Sequence, residues 1–73
     1  MENTSVAAQL LEASNDDPIY VSEKATNGRM AVDEFQDWDN ETSYFKFADG
    51  SCVRVTAYDA EEISTEAFDG LSS

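Results

Sequence analysis

The chain has 73 residues, and a chain of this length buries only about 60% of the surface that its unfolded form exposes. This leaves little room for an enclosed active site, and we expect residues 1–73 to form one small domain. Sixteen Asp and Glu residues against four Lys and Arg, with no His, give a formal net charge of -12, which disfavours direct binding to nucleic acid or to anionic membranes. Because 41% of the residues are hydrophobic, the composition predicts a folded chain and not a disordered acidic one.

Three features of the sequence predict a cytoplasmic protein. The single cysteine, Cys52, cannot form an internal disulfide. The first segment, MENTSVAAQLLEAS, has neither the basic region nor the long apolar run of a secretory signal. No stretch approaches the roughly 18 apolar residues of a membrane span.

The first predicted element is an amphipathic helix over residues 5–14. Its apolar residues recur at helical spacing: Val6, Ala7, Leu10 and Leu11. Thr4 or Ser5 is available as the N-cap. The run NDDP at residues 15–18 is expected to end the helix.

The next segment, IYVSEKATNGRMAVDEF, is predicted to form a first β-hairpin. Its centre is Asn27-Gly28, a dipeptide typical of two-residue type I′ turns. Counting outward from this turn places the following residues on one face: Val21, Ala25, Met30 and Val32. Glu34 falls on the same face.

A second hairpin is predicted for YFKFADGSCVRV. A three-residue loop, 48–50, with Gly50 in the left-handed conformation pairs Phe45 with Val53. This register collects the apolar residues on one side: Phe45, Phe47, Val53 and Val55. A two-residue loop would mix them with Cys52 and Arg54, so the apolar face favours the longer loop.

The C-terminal region is predicted to be a helix. Residues 59–62 (DAEE) resemble a capping box, an apolar stripe of Ile63, Ala67 and Phe68 follows, and Gly70 is a candidate stop. The predicted fold class is therefore α+β: a four-stranded antiparallel sheet of two hairpins, with short N-terminal and C-terminal helices that cover one sheet face.

The sequence predicts neither an enzyme nor a cofactor or metal site. It lacks His and the common nucleophile and phosphate-binding motifs. Cys52 lies in a negatively charged chain, which raises a thiol pKa, and is interpreted as a small residue within a sheet. Asp37 to Glu41 begin like a calcium-binding loop, but Thr42 replaces the required Gly and Ala48 replaces the required Glu.

The acidic run DEFQDWDNE, residues 33–41, is the main candidate for function. In an extended segment Asp33, Asp37, Asp39 and Glu41 point the same way, about 6.7 Å apart for each two residues. Two phosphate steps along a nucleic-acid strand span about the same distance. The alternative is a solvated connection between strands. Trp38 is interpreted either as a core anchor or as an exposed interface residue.

A second acidic patch is predicted on the C-terminal helix. Together the two patches supply the candidate partner-binding residues: Asp33, Glu34, Asp37, Trp38, Asp39, Glu41, Glu61, Glu62 and Glu66. Acidic residues near the first helix add a third patch, so the predicted fold carries negative charge on several elements.

A resemblance to a known class of proteins depends on four features of the chain. These are its small size, its negative charge, a predicted sheet with helices, and the stretch YFKFADGSCVRV followed by the acidic YDAEEIS. The chain resembles the small acidic inhibitors of phages and mobile elements, such as anti-CRISPR proteins, anti-restriction proteins and inhibitors of uracil-DNA glycosylase. The resemblance implies that carboxylates stand in for phosphates and block the basic nucleic-acid-binding surface of a defence or DNA-handling protein, such as a CRISPR effector, within a host bacterial cell.

Two alternatives explain the acidity without mimicry of nucleic acid. The chain could be a halophilic domain whose charge serves solubility at high salt, or an acidic adaptor that binds a basic protein partner. The sequence does not indicate the oligomeric state.

Overall fold

The computed structural model describes residues 4–15 and 17–71, which form an α+β fold. The elements in chain order are α1 (Val6–Ser14), α2 (Pro18–Thr26), β1 (Ala31–Asp37), β2 (Thr42–Phe47), β3 (Cys52–Val55), β4 (Ala60–Ile63) and α3 (Thr65–Leu71). The four strands form one antiparallel sheet in the order β1-β2-β3-β4, so each strand pairs with its neighbour along the chain. The predicted fold class is confirmed, although some of the strands come from other segments than predicted.

Helix α1 confirms the first predicted helix. Ser5 is its N-cap, and the Ser5 hydroxyl accepts a hydrogen bond from the backbone N–H of Ala8 across 3.0 Å. Asn15 ends the helix in the left-handed conformation, with φ of 54°. Ala7 and Leu10 are buried, as their helical spacing predicts.

The first predicted hairpin is wrong, because residues 18–26 form helix α2. The Asp17 carboxylate caps this helix by accepting from the N–H of Ile19 across 3.0 Å. Pro18 occupies the first turn, where a missing N–H costs nothing. Asn27 has φ of -71°, which is helical and not the positive value that a type I′ turn requires. The segment that was expected to end α1 does so at Asn15, and Asp17 and Pro18 then begin α2.

Strand β1 consequently pairs with β2 and not with residues 19–26. Ala31 lies opposite Phe47 and Asp33 lies opposite Lys46, so Val32 is an extra residue in a β-bulge. Val32 is 64% exposed, and Met30 is also exposed. The predicted shared face of Val21, Ala25, Met30 and Val32 is therefore split, and only the two helical residues are buried.

The second predicted hairpin is confirmed in detail. Phe45 lies opposite Val53, and Gly50 adopts φ of 91° in the connecting loop. The Gly50 N–H donates to the Phe47 carbonyl across 2.9 Å. Phe45, Phe47 and Val53 are almost fully buried, so the apolar face sets this register.

Helices α1 and α2 cover one face of the sheet, which we call the helix face. Its core residues come from both helices and from the two central strands: Ala7, Leu10, Val21, Ala25, Phe45, Phe47, Val53 and Val55. Burial of this continuous apolar set is the main favourable contribution to folding.

The C-terminal region begins as a strand and not as a helix. Ile63 pairs with Cys52 and Glu61 with Arg54, so residues 60–63 form the outer strand β4. Helix α3 starts after Ser64, whose hydroxyl accepts from the N–H of Ala67 across 3.0 Å. Gly70 lies inside α3 and does not end it.

Helix α3 packs on the sheet face opposite to α1 and α2. Phe68 is buried and lies outside the main core, with its ring centre 5.9 Å from Lys46 Nζ. Asp69 pairs with the same Lys46 Nζ across 3.4 Å. Lys46 alternates with Phe45 and Phe47 along β2, so its side chain projects to the other face. The prediction that both terminal helices cover one face is therefore wrong.

Candidate functional site

Acidic side chains cover the surface of the fold. Every Asp and Glu that the structure describes is exposed, apart from the half-buried Asp37. Two ion pairs occur within residues 4–15 and 17–71: Arg54 Nη2 to Glu61 Oε2 at 2.6 Å, and Lys46 Nζ to Asp69 Oδ1 at 3.4 Å. Most of the negative charge is therefore uncompensated by nearby cations.

The predicted row of carboxylates is only partly realised. Asp33 and Asp37 share one face of β1, with Phe35 between them packing against Tyr44 at a ring-centre distance of 6.0 Å. Residues 38–41 leave the strand and form the β1–β2 turn. The row therefore ends at Asp37, and the structure corrects the placement of Asp39 and Glu41.

Asp37 holds the β1–β2 turn in shape. Its carboxylate accepts from the Asn40 side-chain amide across 2.7 Å and from the Asn40 backbone N–H across 3.2 Å. These hydrogen bonds, the side-chain one first, lower the pKa of Asp37 below its ordinary value, since they favour the charged form. Trp38 follows in this turn and is 81% exposed. It is therefore not a core anchor, and its role at an interface stays a prediction.

The other predicted residues lie on different sides of the molecule. Glu62 projects from β4 on the helix face, where it accepts from the Ser5 hydroxyl across 2.9 Å. Glu61 projects to the opposite face and pairs with Arg54. Glu34 lies on β1 and Glu66 in the first turn of α3, both exposed. The predicted set is therefore not gathered into one surface.

The structure does bring two turns together at one end of the sheet. In a meander of four antiparallel strands, the β1–β2 and β3–β4 turns lie at the same end. A concave surface is lined by residues of both turns and by two residues of the adjoining strands: Asn40, Glu41, Thr42, Arg54, Thr56, Ala57, Tyr58 and Asp59. We call residues 37–41 and 56–59 the turn end.

Tyr58 is 91% exposed in the β3–β4 turn, and sequence reasoning missed it. The Thr56 hydroxyl accepts from the N–H groups of Tyr58 and Asp59, across 3.2 and 3.0 Å. The Thr56 N–H donates to the Asp59 carbonyl across 2.8 Å. Thr56 and Asp59 are residues that favour turns, a signal which the capping-box interpretation of residues 59–62 concealed.

Ile19, at the start of α2, adds a further exposed apolar side chain beside the turn end. It is 73% exposed. A second concave surface, on the helix face, is lined by Ile19 together with Glu41, Thr56 and Ala57. The turn end therefore has exposed apolar groups on its tips and along one side.

Other chemistry receives little support from the arrangement. Cys52 is buried, and burial raises the pKa of its thiol, partly opposed by the charge of Lys46. In the part of the chain that the structure describes, no three His, Cys, Asp or Glu side chains cluster in a way that could hold a metal ion. Within the same residues, no helix has the length and apolar character needed to cross a membrane.

Comparison with known proteins finds no matching protein-family model, no matching curated protein and no matching solved structure.

Proposed function

We propose that this protein is an inhibitor that presents carboxylates where a nucleic acid presents phosphates. It would occupy the basic nucleic-acid-binding surface of a defence or DNA-handling protein, such as a CRISPR effector, in the cytoplasm of a bacterial cell. One observation carries the proposal: the chain has a net charge of -12, and its described carboxylates lie on the outside of a folded sheet with few cations beside them.

The physical argument concerns both the rate and the cost of binding. A basic groove attracts polyanions at long range, so a strongly negative protein is steered toward it and associates faster. Carboxylates fixed on strands and hydrogen-bonded turns lose less conformational freedom on binding than those of a flexible acidic tail. The turn held by Asp37 is an example of such fixation.

A second candidate function is an adaptor that binds a basic protein without mimicry of nucleic acid. The exposed side chains of Trp38, Tyr58 and Ile19 favour it, because apolar contacts have no counterpart in a phosphate backbone. The two functions differ in whether the partner can hold nucleic acid at the same time.

The test is affinity capture on immobilised protein at low salt, followed by elution with duplex DNA. A parallel elution with sodium chloride at the same ionic strength controls for screening. We expect duplex to release the partner more effectively than the matched salt. The purified partner should then lose bound DNA as this protein is added. A partner that binds duplex and this protein simultaneously would overturn the proposal in favour of the adaptor.

A charge-reversal variant sharpens this test. Asp37 is unsuitable, because Lys at that position would also remove the bonds to Asn40. Asp39→Lys with Glu41→Lys changes exposed carboxylates of the turn while leaving those bonds in place. We expect this variant to displace DNA less effectively at equal thermal stability. Undiminished displacement would mean that carboxylates outside this turn meet the basic surface.

A further inference from the structure

We infer that the turn end is the surface that contacts the partner, and that it is shaped to receive arginine side chains. The inference rests on the proposed function, because it names the part of the molecule that meets the basic surface and the cation that it prefers. The exposed aromatic side chains indicate that the turn end is a contact surface, and the surrounding negative charge indicates that it binds a cation.

Trp38 and Tyr58 are the most exposed large apolar side chains that the structure describes, at 81% and 91%. Both lie at the turn end, on two turns at the same end of the sheet. A thin core in so short a chain would gain from burying either ring. Aromatic residues exposed in this way are enriched among the residues that dominate protein interfaces.

The two turns hold these rings on fixed backbones. Hydrogen bonds between Asp37 and Asn40 close the first turn. Five hydrogen bonds close the second turn, four between Thr56 and Asp59 and one from the Tyr58 N–H to the Thr56 hydroxyl. A partner therefore meets aromatic groups whose backbones need little further ordering.

Charge complementarity selects a cationic occupant. Asp39 and Glu41 lie in the same turn as Trp38, and both are exposed. Within residues 4–15 and 17–71, no hydrogen bond or ion pair engages either carboxylate. Their charge is available to a partner, and it repels anionic membranes and a second copy of this chain.

Arginine fits both the aromatic rings and the carboxylates of this surface better than lysine does. A guanidinium group is planar, so it stacks on the face of Trp or Tyr while its N–H groups bind a carboxylate in a bidentate manner. An ammonium group is compact, more strongly hydrated and without a flat face. Arginine is also a common residue for recognition of phosphates, so a nucleic-acid-binding surface supplies it.

The experiment compares nona-arginine and nona-lysine peptides as probes of the whole protein. Trp38 is the single tryptophan, so its fluorescence reports binding at the turn end directly. We expect nona-arginine to bind more tightly than nona-lysine. Trp38→Ala and Tyr58→Ala, measured by calorimetry, should each reduce that preference by about two- to five-fold.

The matched control is Val32→Ala, which truncates an exposed apolar side chain at the other end of β1. It should leave the preference for arginine unchanged, and all three variants should keep the wild-type melting temperature. Equal binding of the two peptides to the wild-type protein would overturn the inference. So would an arginine preference that survives both aromatic substitutions, or one that Val32→Ala reduces equally.

Failure of this inference is distinguishable from failure of the proposed function. If the aromatic variants displace DNA from the captured partner as well as the wild type does, the turn end is not the contact surface, but inhibition by charge mimicry stands. If the peptide results hold and duplex DNA does not compete for the partner, the surface is assigned and the mimicry is wrong.

Discussion

The carboxylate of Asp49, in the β2–β3 loop, accepts a hydrogen bond from the backbone N–H of Val6 across 2.9 Å. Val6 is the first residue of α1, where N–H groups lack partners within the helix. The neighbouring Ser51 hydroxyl accepts from the Ala7 N–H across 3.0 Å. The β2–β3 hairpin thus caps α1. The Asp49 carboxylate lies at the N-terminus of this helix, where the helix dipole favours a negative charge.

This contact predicts a pH-dependent stability. Hydrogen bonds from the Ser51 hydroxyl first, and then from the Val6 N–H, hold the pKa of Asp49 below its ordinary value of 3.8. A lowered folded-state pKa stabilises the fold above the unfolded-state pKa, and the contribution is lost as pH falls through the folded-state value. Asp49→Asn should therefore lower the melting temperature at neutral pH, and the difference from wild type should shrink as the pH falls below the ordinary Asp value of 3.8.

Asp39→Asn is the control, because it removes the same charge from a side chain without a partner among the described residues. It should not lower the melting temperature at any pH, since less self-repulsion favours the compact state. A deficit for Asp49→Asn that persists unchanged at low pH would mean that its carboxylate charge contributes nothing at the helix end.

Exposure of Trp38 predicts that it contributes little to folding. We expect Trp38→Ala to change the free energy of unfolding by less than about 0.5 kcal/mol, as for other surface substitutions. Phe45→Leu, in the buried face of β2, should cost about 1–2 kcal/mol because it leaves a cavity. Urea denaturation measures both. A larger loss for Trp38→Ala than for Phe45→Leu would place Trp38 in the core.

The backbone conformation of Glu41 predicts that a substitution at this position stabilises the fold. It has φ of 52°, where a side chain other than that of Gly is strained. Glu41→Gly should raise the free energy of unfolding by up to about 1 kcal/mol, since the relief of strain exceeds the added freedom of the unfolded chain. Gly50→Ala, at φ of 91°, should have the opposite effect. Thermal unfolding of the two variants checks the signs, and destabilisation by Glu41→Gly would disagree with this backbone conformation.

Behaviour at low salt separates an inhibitor from a halophilic domain. The described acidic side chains project from a fold whose apolar core is continuous, so we expect cooperative thermal unfolding in dilute buffer. Added salt should raise the melting temperature modestly by screening self-repulsion. Circular dichroism gives the answer. A chain that is unfolded in dilute buffer and folds only at high salt would support the halophilic alternative.

The sequence was sufficient where a single local feature allowed one arrangement. Ser5 and the spacing of Ala7 and Leu10 determined α1, and the loop with Gly50 together with alternating apolar residues determined the pairing of Phe45 with Val53. Both depend on contacts between residues close in the chain, so their physical basis is visible in the sequence.

The candidate site was less predictable, because its parts are distant in sequence. The acidic run could be recognised, and so could Trp38. Tyr58 and Glu41 line the same concave surface only because strands β2 and β3, which lie between them in the chain, pair with each other. No feature near Tyr58 indicates that proximity.

Tertiary structure explains the two segments that were predicted wrongly, residues 18–26 and 60–63. Val21 and Ala25 are four residues apart, a spacing that places them on one face of a helix and equally on one face of a strand, and packing against Val53 and Val55 selected the helix. Residues 60–63 became a strand because the open edge of β3 offers backbone partners to them. Long-range burial and hydrogen bonding contributed in both cases, and in α2 the N-cap Asp17 and the first-turn Pro18 favoured the same outcome locally.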